Sequence, residues 1–233
     1  MELHTLGLKF KDEKKWEEVI STFLDAAKIR EKRLPKTHID LEETYLELAS
    51  CFFDYRDYRQ SIFYFQKVLQ IEESLPTLNY DTLYTINDSL GRAYFNLQEY
   101  KEGISYCKKA AEIRQKHLTL DKSRLADALL SLANYEYTLG SYSSSIETAK
   151  EGLNALGTDP SENPGISSAL YAILGSGYKE TSQYEKAVES FNKSIELEIK
   201  QFGATNHILA AKYEALADIY LDMTILITIW ECG

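Results

Sequence analysis

The chain contains few of the residues that mark tight turns or that cross-link small secreted domains. Its 233 residues include four prolines, eleven glycines and three cysteines. That content is too low for a turn-dense β-sandwich. The cysteines at positions 51, 107 and 232 have no close pair and no metal-type spacing. Such a set fits a reducing compartment better than a disulfide framework, so we expect a cytoplasmic chain.

Long apolar runs and excess positive charge are also missing. The longest apolar run, Ile225–Trp230, is interrupted by Thr228 and falls far below the ~20 residues that a membrane-spanning helix needs. Residues 1–10 carry no basic stretch followed by an apolar run, so we expect neither a signal peptide nor a transit peptide. With 26 basic and 36 acidic residues, the net charge is −10. Because that charge repels phosphate, the sequence predicts no nucleic-acid partner and no membrane partner.

What the sequence does contain is a repeat of 42 residues. One leucine series defines it: Leu6, Leu48, Leu90, Leu132, Leu174 and Leu216. The residue after each leucine is Gly or Ala, which lets a neighbouring helix approach closely. Ten residues after the leucine stands an aromatic in five of the six repeats: Trp16, Tyr58, Tyr100, Tyr142 and Tyr184. The regular spacing predicts an array of similar units.

A second helix is predicted in each repeat, after a short polar turn. Small or apolar residues recur at one register and again four residues later, as in the pairs Val19 with Phe23 and Ala187 with Phe191. Residues four apart lie on one face of a helix, so this pattern indicates a packed second helix. The four prolines all fall between one repeat's second helix and the next repeat's first: Pro35, Pro76, Pro160 and Pro164.

These motifs resemble the tetratricopeptide repeat (TPR) family. The fifth repeat carries the fullest match, Tyr171-x2-Leu174-Gly175-x2-Tyr178 followed by Ala187-x3-Phe191, although Ile199 replaces the family's closing proline. The 42-residue period and the connectors look like those of kinesin-light-chain arrays. The resemblance implies an all-α fold, a right-handed superhelical solenoid of antiparallel helix pairs. It also implies a concave groove lined by the first helices.

The repeats divide the chain into two predicted parts. Residues 1–222 would form the array, with five helix pairs and the first helix of a sixth. Residues 223–233 would form an atypical apolar tail, and their Ile, Leu and Thr content favours a strand over a helix. The alternative is a hydrophobic cap for the last helix. Because residue 1 falls inside a first helix and the tail breaks the repeat pattern, we expect altered or truncated ends.

No catalytic constellation can be assembled from the sequence. Cys51 and Cys107 fall at core positions of the repeat, where free cysteine acts as a small hydrophobe. The histidines are expected on the surface and have no ligand spacing: His4, His38, His117 and His207. The segment Gly175-Ser176-Gly177 lies inside a predicted helix, so it is not a nucleophile elbow. We therefore expect no enzyme, no metal and no cofactor.

The predicted groove offers an aromatic stripe on three consecutive first helices. Phe53, Phe95 and Tyr137 each stand five residues after the repeat leucine, with Arg92 and Asn134 beside them. Such aromatics can anchor a peptide while Arg and Asn hold its backbone or a carboxylate. The alternative is that the three rings belong to the core between repeats. The surrounding acidic residues would favour a neutral or basic ligand: Glu43, Glu47, Asp54, Asp88 and Asp127.

Two functions remain open from the sequence. The first is a passive scaffold or adaptor, with a protein or peptide partner of unknown identity held in the groove, as the resemblance implies. The second is a regulatory sensor whose superhelix responds to a bound peptide and controls an output protein. The Lys and Asn pattern with which some TPR proteins hold a chaperone's C-terminal carboxylate is absent from the first helices. We therefore expect no chaperone-tail clamp.

Overall fold

A computed structural model describes residues 15–117, 122–203 and 207–232, with residues 226–232 described by their backbone alone. The chain divides into two compact halves, residues 1–118 and 119–233. Leu6, His4 and the rest of the predicted first helix of repeat 1 lie outside the described residues.

The described part of the chain is helical and contains no strand, which confirms the predicted all-α class. The helices of the N-terminal half are α1 Trp16–Arg33, α2 Ile39–Asp54, α3 Tyr58–Ser74, α4 Tyr80–Asn96 and α5 Tyr100–His117. Those of the C-terminal half are α6 Lys122–Thr138, α7 Tyr142–Leu156, α8 Pro164–Glu180, α9 Tyr184–Phe202 and α10 Ile208–Cys232, with a 3₁₀ turn at Pro160–Glu162 before α8. None of these described helices has the length and apolar content to cross a membrane.

The aromatic residue of each repeat is the first residue of its second helix, as the spacing predicts. The starts of α1, α3, α5, α7 and α9 are therefore 42 residues apart. A residue with a left-handed backbone ends each turn inside repeats 2 to 5: Arg56 (φ 65°), Gln98 (φ 62°), Gly140 (φ 80°) and Ser182 (φ 58°). This conformation lets the chain reverse within three residues, so the paired helices pack antiparallel.

The leucine series forms the centre of the packing. All five of its described members are buried: Leu48, Leu90, Leu132, Leu174 and Leu216. In repeats 2 to 5 the small residue that follows the leucine allows close contact with the second helix, as predicted. At Gly175 a β-carbon would lie 2.7 Å from the ring of Phe191 on α9. Glycine is therefore required there for the approach of α8 and α9.

A second contact recurs inside the repeats, between the residue six before the leucine and the residue 24 after it. The pairs are Glu42 with Glu72, Tyr84 with Arg114, Ala126 with Leu156 and Ser168 with Glu198. The guanidinium of Arg114 lies 3.8 Å from the centre of the Tyr84 ring. Ser168 Oγ donates a hydrogen bond to Glu198 Oε1 at 3.1 Å. Three of the four pairs thus include buried polar groups, whereas Ala126 and Leu156 are apolar.

The last described helix is longer than the sequence predicts. α10 continues without interruption from Ile208 to Cys232, so the expectation of a strand in the tail is wrong. No glycine or proline occurs between these residues to end the helix, and β-branched residues lower helix propensity by only a few tenths of a kcal/mol each. The division of the chain at residue 222 remains a prediction.

Candidate functional site

The three aromatics of the predicted stripe occupy the same place on their helices. Phe53, Phe95 and Tyr137 are the penultimate residues of α2, α4 and α6, and each is half-buried. Each ring packs against the tyrosine that begins the second helix of its own repeat, with centroid distances of 5.4 Å to Tyr58, 5.1 Å to Tyr100 and 5.4 Å to Tyr142. The stripe therefore braces the turn inside each repeat and keeps part of each ring accessible.

In the N-terminal half, the structure brings Arg92 onto the stripe. Its guanidinium carbon lies 5.3 Å from the centre of the Phe53 ring, a cation–π distance between neighbouring first helices. Arg92 Nη1 is 4.0 Å from Asp88 Oδ2 one turn earlier, and the side chain is 54% exposed. Phe95 follows three residues later on the same face of α4. An exposed guanidinium over a half-buried ring can bind a carboxylate or a backbone carbonyl.

In the C-terminal half, Asn134 and Tyr137 lie one turn apart on α6. Asn134 is exposed, and its carbonyl accepts a hydrogen bond from Thr138 Oγ1 at 2.9 Å. Burial raises the pKa of Tyr137, while a hydrogen bond with Ser176 on α8 partly offsets that rise. The tyrosine is therefore neutral at physiological pH. Together the two side chains offer an amide and a hydroxyl beside a half-buried ring.

The acidic residues predicted around the stripe are at the surface of their helices. Glu43, Asp54 and Asp127 are exposed, while Glu47 and Asp88 are partly exposed. In the N-terminal half, Arg30 Nη1 lies 3.9 Å from Glu43 Oε2 and Arg92 Nη1 lies 4.0 Å from Asp88 Oδ2, so the four carboxylates there outnumber these two guanidinium groups. A neutral or basic peptide segment fits this surface better than a polyanion does.

A cleft in the N-terminal half was not anticipated from the sequence. It has a volume of about 560 Å³, and Leu41 and Ile71 lie along it with Tyr45, Glu31 and Lys67. Tyr45 Oη donates to Glu31 Oε1 at 2.6 Å, and Lys67 Nζ donates to the same oxygen at 3.1 Å. These bonds lower the pKa of Glu31, although burial opposes them. The lining comes from three helices, and no sequence spacing signals it.

The cysteines and histidines behave as the sequence predicts where the structure describes them. Cys51 and Cys107 are buried, and burial raises the pKa of the Cys107 thiol to about 12. His38 caps α2, because its Nδ1 accepts a hydrogen bond from the Asp40 backbone N–H at 3.1 Å. His117 is exposed and stacks on Tyr80, with 3.7 Å between the ring centres.

His4 and the side chain of Cys232 lie outside the described residues, whereas His207 is exposed. Among the side chains that the structure describes, no group of three His, Cys, Asp or Glu residues is arranged to hold a metal ion.

The repeat geometry agrees with a family model. The model described as "Tetratricopeptide repeat" matches residues 84–117 and 168–198, which contain repeat leucines Leu90 and Leu174. These two segments are tetratricopeptide repeats. No curated protein sequence is close enough to the array to count as a match.

Solved structures share the fold of the array at low sequence identity. The nearly identical TPR-like repeats assigned to a Podosopora anserina kinesin light chain match with a TM-score of 0.69 at 17% identity, over 86% of this chain and 95% of that one. YrrB, described as a TPR protein with an unusual peptide-binding site, matches with a TM-score of 0.62 at 15% identity, over 91% and 90%. A STAND protein with a TPR sensor from Pyrococcus horikoshii matches with a TM-score of 0.64 at 17% identity, over 93% of this chain and 31% of that one.

Proposed function

We propose that the array is a non-catalytic interaction scaffold that binds a peptide segment of a partner protein on the face of its first helices. Phe53 and Phe95 would anchor the peptide in the N-terminal half, and Arg92 would hold a polar group beside them. Tyr137 and Asn134 would play the same two roles in the C-terminal half. The setting we propose is the cytoplasm.

The observation that carries this proposal is the position of Arg92. Its guanidinium lies over the ring of Phe53 from the neighbouring repeat, yet more than half of the side chain is exposed. A cation held by one ring and open to solvent is arranged for recognition of a further group. Arg59 differs, because 79% of its side chain is exposed and its Nη2 lies 4.0 Å from Glu99 Oε1.

Two further facts support a binding role over a catalytic one. The TPR fold presents a continuous surface that repeat proteins use for extended ligands. The described thiols are buried, and burial holds the pKa of Cys107 far above the range in which a thiolate forms. The similar structure of YrrB, a TPR protein with a peptide-binding site, is in keeping with the same role.

A direct test is selection of peptides from a random display library against the purified array. Selected peptides would then be titrated against wild type, Arg92→Glu and the matched control Arg59→Glu by fluorescence anisotropy. We expect Arg92→Glu to change the affinity at least tenfold while Arg59→Glu leaves it unchanged. The direction of the change in affinity identifies the charge of the ligand. Weaker binding to Arg92→Glu indicates an acidic or carboxylate group, and tighter binding indicates a basic group. Equal affinities for all three proteins would move the site off this face.

A regulatory sensor is the second candidate, and the likeness to the TPR sensor of the STAND protein favours it. A sensor must change shape when its ligand binds, whereas a scaffold need not. Small-angle X-ray scattering with and without a saturating selected peptide separates the two. Binding of the peptide alone changes the radius of gyration by a small amount that its mass determines. A larger change than this would support the sensor.

A further inference from the structure

The last helix of the array, α10, has two apolar faces. One is buried against α8 and α9 and includes Leu209, Leu216 and Ile219. The other is open: Tyr213 is 52% exposed, Tyr220 is 53% exposed and Leu221 is 60% exposed. Ala217 and Ile225 lie on the same open side. Residues at these spacings form one continuous stripe along a helix.

The repeat register shows what belongs on that stripe. Ala217 follows Leu216 as Ala49 follows Leu48 and as Ala133 follows Leu132. Ala49 and Ala133 are fully buried, because a second helix covers each of them. There Ser61 Oγ of α3 donates to the Ala49 carbonyl at 2.9 Å, and Ser145 Oγ of α7 donates to the Ala133 carbonyl at 2.7 Å. A small hydroxyl residue of a second helix thus rests on this position.

On α10 the same position has no such cover among the described residues. Ala217 is exposed. Tyr220 occupies the register of Phe52, which is only 8% exposed beneath α3. The open stripe of α10 is therefore the surface that a second helix covers in repeats 2 and 4. Its shape fits a helix that presents a small residue to Ala217 and an apolar residue one turn on.

The charge beside the stripe selects among possible helices. Glu214, Asp218 and Asp222 follow one another at intervals of one turn next to it. Asp218 is 67% exposed even though Lys179 lies 3.3 Å away. The single lysine of α10, Lys212, is buried against Glu198. A second copy of α10 would bring the same three carboxylates together, whereas a helix with basic flanks would neutralise them.

We propose that the open stripe of α10 binds an amphipathic helix with basic flanks from another protein. This helix occupies the position on α10 that α3 occupies on α2 and that α7 occupies on α6. The site lies in the C-terminal half and does not involve Phe53, Phe95 or Arg92. This proposal can therefore be tested independently of the peptide site on the first helices.

The chain itself supplies matched probes. A synthetic peptide of residues 100–117, with Cys107 replaced by Ser, is a second helix with five Lys or Arg and two Glu. A peptide of residues 142–156 is a second helix with one Lys and two Glu. Each is labelled with fluorescein, held helical by a solvent-side lactam and titrated with the full chain. We expect the basic peptide to bind at least about tenfold more tightly at low salt, with the difference shrinking as salt is added.

Substitutions assign the binding to the stripe. Tyr220→Asp should weaken binding of the 100–117 peptide by about tenfold or more, because it removes an exposed anchor and adds a charge. Tyr55→Asp, at an exposed tyrosine of the N-terminal half, is the control and should leave the affinity unchanged. No binding of the basic peptide up to 1 mM, or equal binding by both variants, would overturn the proposal. A wild-type dimer in sedimentation velocity that Tyr220→Asp dissociates would assign the stripe to a second copy instead, and would also overturn it.

Discussion

The carboxyl groups of Glu42 on α2 and Glu72 on α3 are neighbours, and both side chains are buried. Burial and then the neighbouring carboxyl raise the pKa of Glu42 to about 7. The backbone N–H of Asn79, which caps α4, donates to Glu72 Oε2 at 3.3 Å. The pair therefore lies between the two helices of repeat 2 and the start of repeat 3, and Glu42 keeps its proton below about pH 7.

This proton makes the N-terminal repeats more stable in mild acid than in mild base. The folded pKa of Glu42 lies above its ordinary value of 4.5, so the stabilisation is present below 4.5 and is lost as the pH rises through 7. We expect the free energy of unfolding to fall by about 1–3 kcal/mol from pH 5 to pH 8, at about 1.4 kcal/mol per pKa unit. Urea titrations monitored by circular dichroism at pH 5 and at pH 8 measure this free energy of unfolding.

The matched variants are Glu42→Gln and Glu73→Gln. The first replaces the carboxyl group whose pKa is raised with a permanently neutral amide, so the fall between pH 5 and pH 8 should shrink. The second removes an exposed carboxylate one residue from Glu72 and should preserve the fall. An undiminished pH dependence in Glu42→Gln would show that other groups cause it.

The leucine series predicts a large difference between two substitutions of the same kind. Leu90 is fully buried in the centre of α4, whereas Leu78 is exposed in the connector before it. Leu90→Ala should lower the free energy of unfolding by ~2–5 kcal/mol, because it loses buried surface and leaves a cavity. Leu78→Ala should change it by less than ~0.5 kcal/mol. Thermal melts of both variants test this, and similar melting temperatures would contradict the packing.

Two glycines of α8 should respond in opposite ways to alanine. The β-carbon of Gly175→Ala would lie 2.7 Å from the Phe191 ring, so the helices must separate at a cost of about 1–3 kcal/mol. At Gly165 the nearest atom would be Gln201 Oε1 at 3.6 Å, which is ordinary contact. Gly165→Ala should therefore be neutral or stabilise by up to ~1 kcal/mol through helix propensity. Differential scanning calorimetry distinguishes the two, and stabilisation by both would disprove the close approach.

The buried ion pair between α9 and α10 predicts strong coupling. Lys212 Nζ donates to Glu198 Oε1 at 3.0 Å and to Ser168 Oγ at 2.8 Å. Lys212→Met should cost about 3–5 kcal/mol, because it leaves a buried carboxylate without its cation. Adding Glu198→Met should restore part of the loss, with a coupling energy of about 1–3 kcal/mol. Denaturation of the two single variants and the double variant measures this cycle, and additive losses would rule out the coupling.

The helices could be predicted from the sequence because each repeat carries the same small set of constraints. A leucine, a small residue and an aromatic at fixed spacing define one helix pair, and five copies of this set reinforce the pattern. The left-handed turn residues gave no such signal, since only Gly140 among the four is a glycine. Glu136 was equally hidden. It occupies the position that Phe52, Tyr94 and Tyr178 occupy in their repeats, yet it is buried and accepts a hydrogen bond from Thr148 Oγ1 at 2.7 Å.

The candidate site could be predicted only as a set of positions. Register placed Phe53, Phe95 and Tyr137 at equivalent points of their helices, but it could not show that each ring packs on the tyrosine after the turn. Side chains from different repeats meet at distances that depend on how the helices cross. The contact of Arg92 with Phe53 and the bond from Tyr45 to Glu31 are of this kind.

The aromatic stripe predicts which rings contribute to binding and which are only exposed. Phe95 is half-buried against Tyr100 and keeps an accessible face beside Arg92, whereas Phe63 is exposed on α3 and packs on Tyr64. A ring held in place loses little conformational freedom when a ligand covers it, so it can contribute at least ~2 kcal/mol. Phe95→Ala should therefore lower the affinity for a display-selected peptide by about 30-fold or more. Phe63→Ala should leave that affinity unchanged, although it removes the same number of atoms.

Calorimetric titration of the selected peptide into both variants and wild type makes the comparison, with circular dichroism showing that each is folded. A loss confined to Phe95→Ala places the peptide on the first helices, because Phe63 lies on a second helix. Equal losses would mean that the peptide is held by general exposed apolar surface rather than by the stripe. No loss in either variant would leave the rings of the stripe with the single role of bracing the turns inside the repeats.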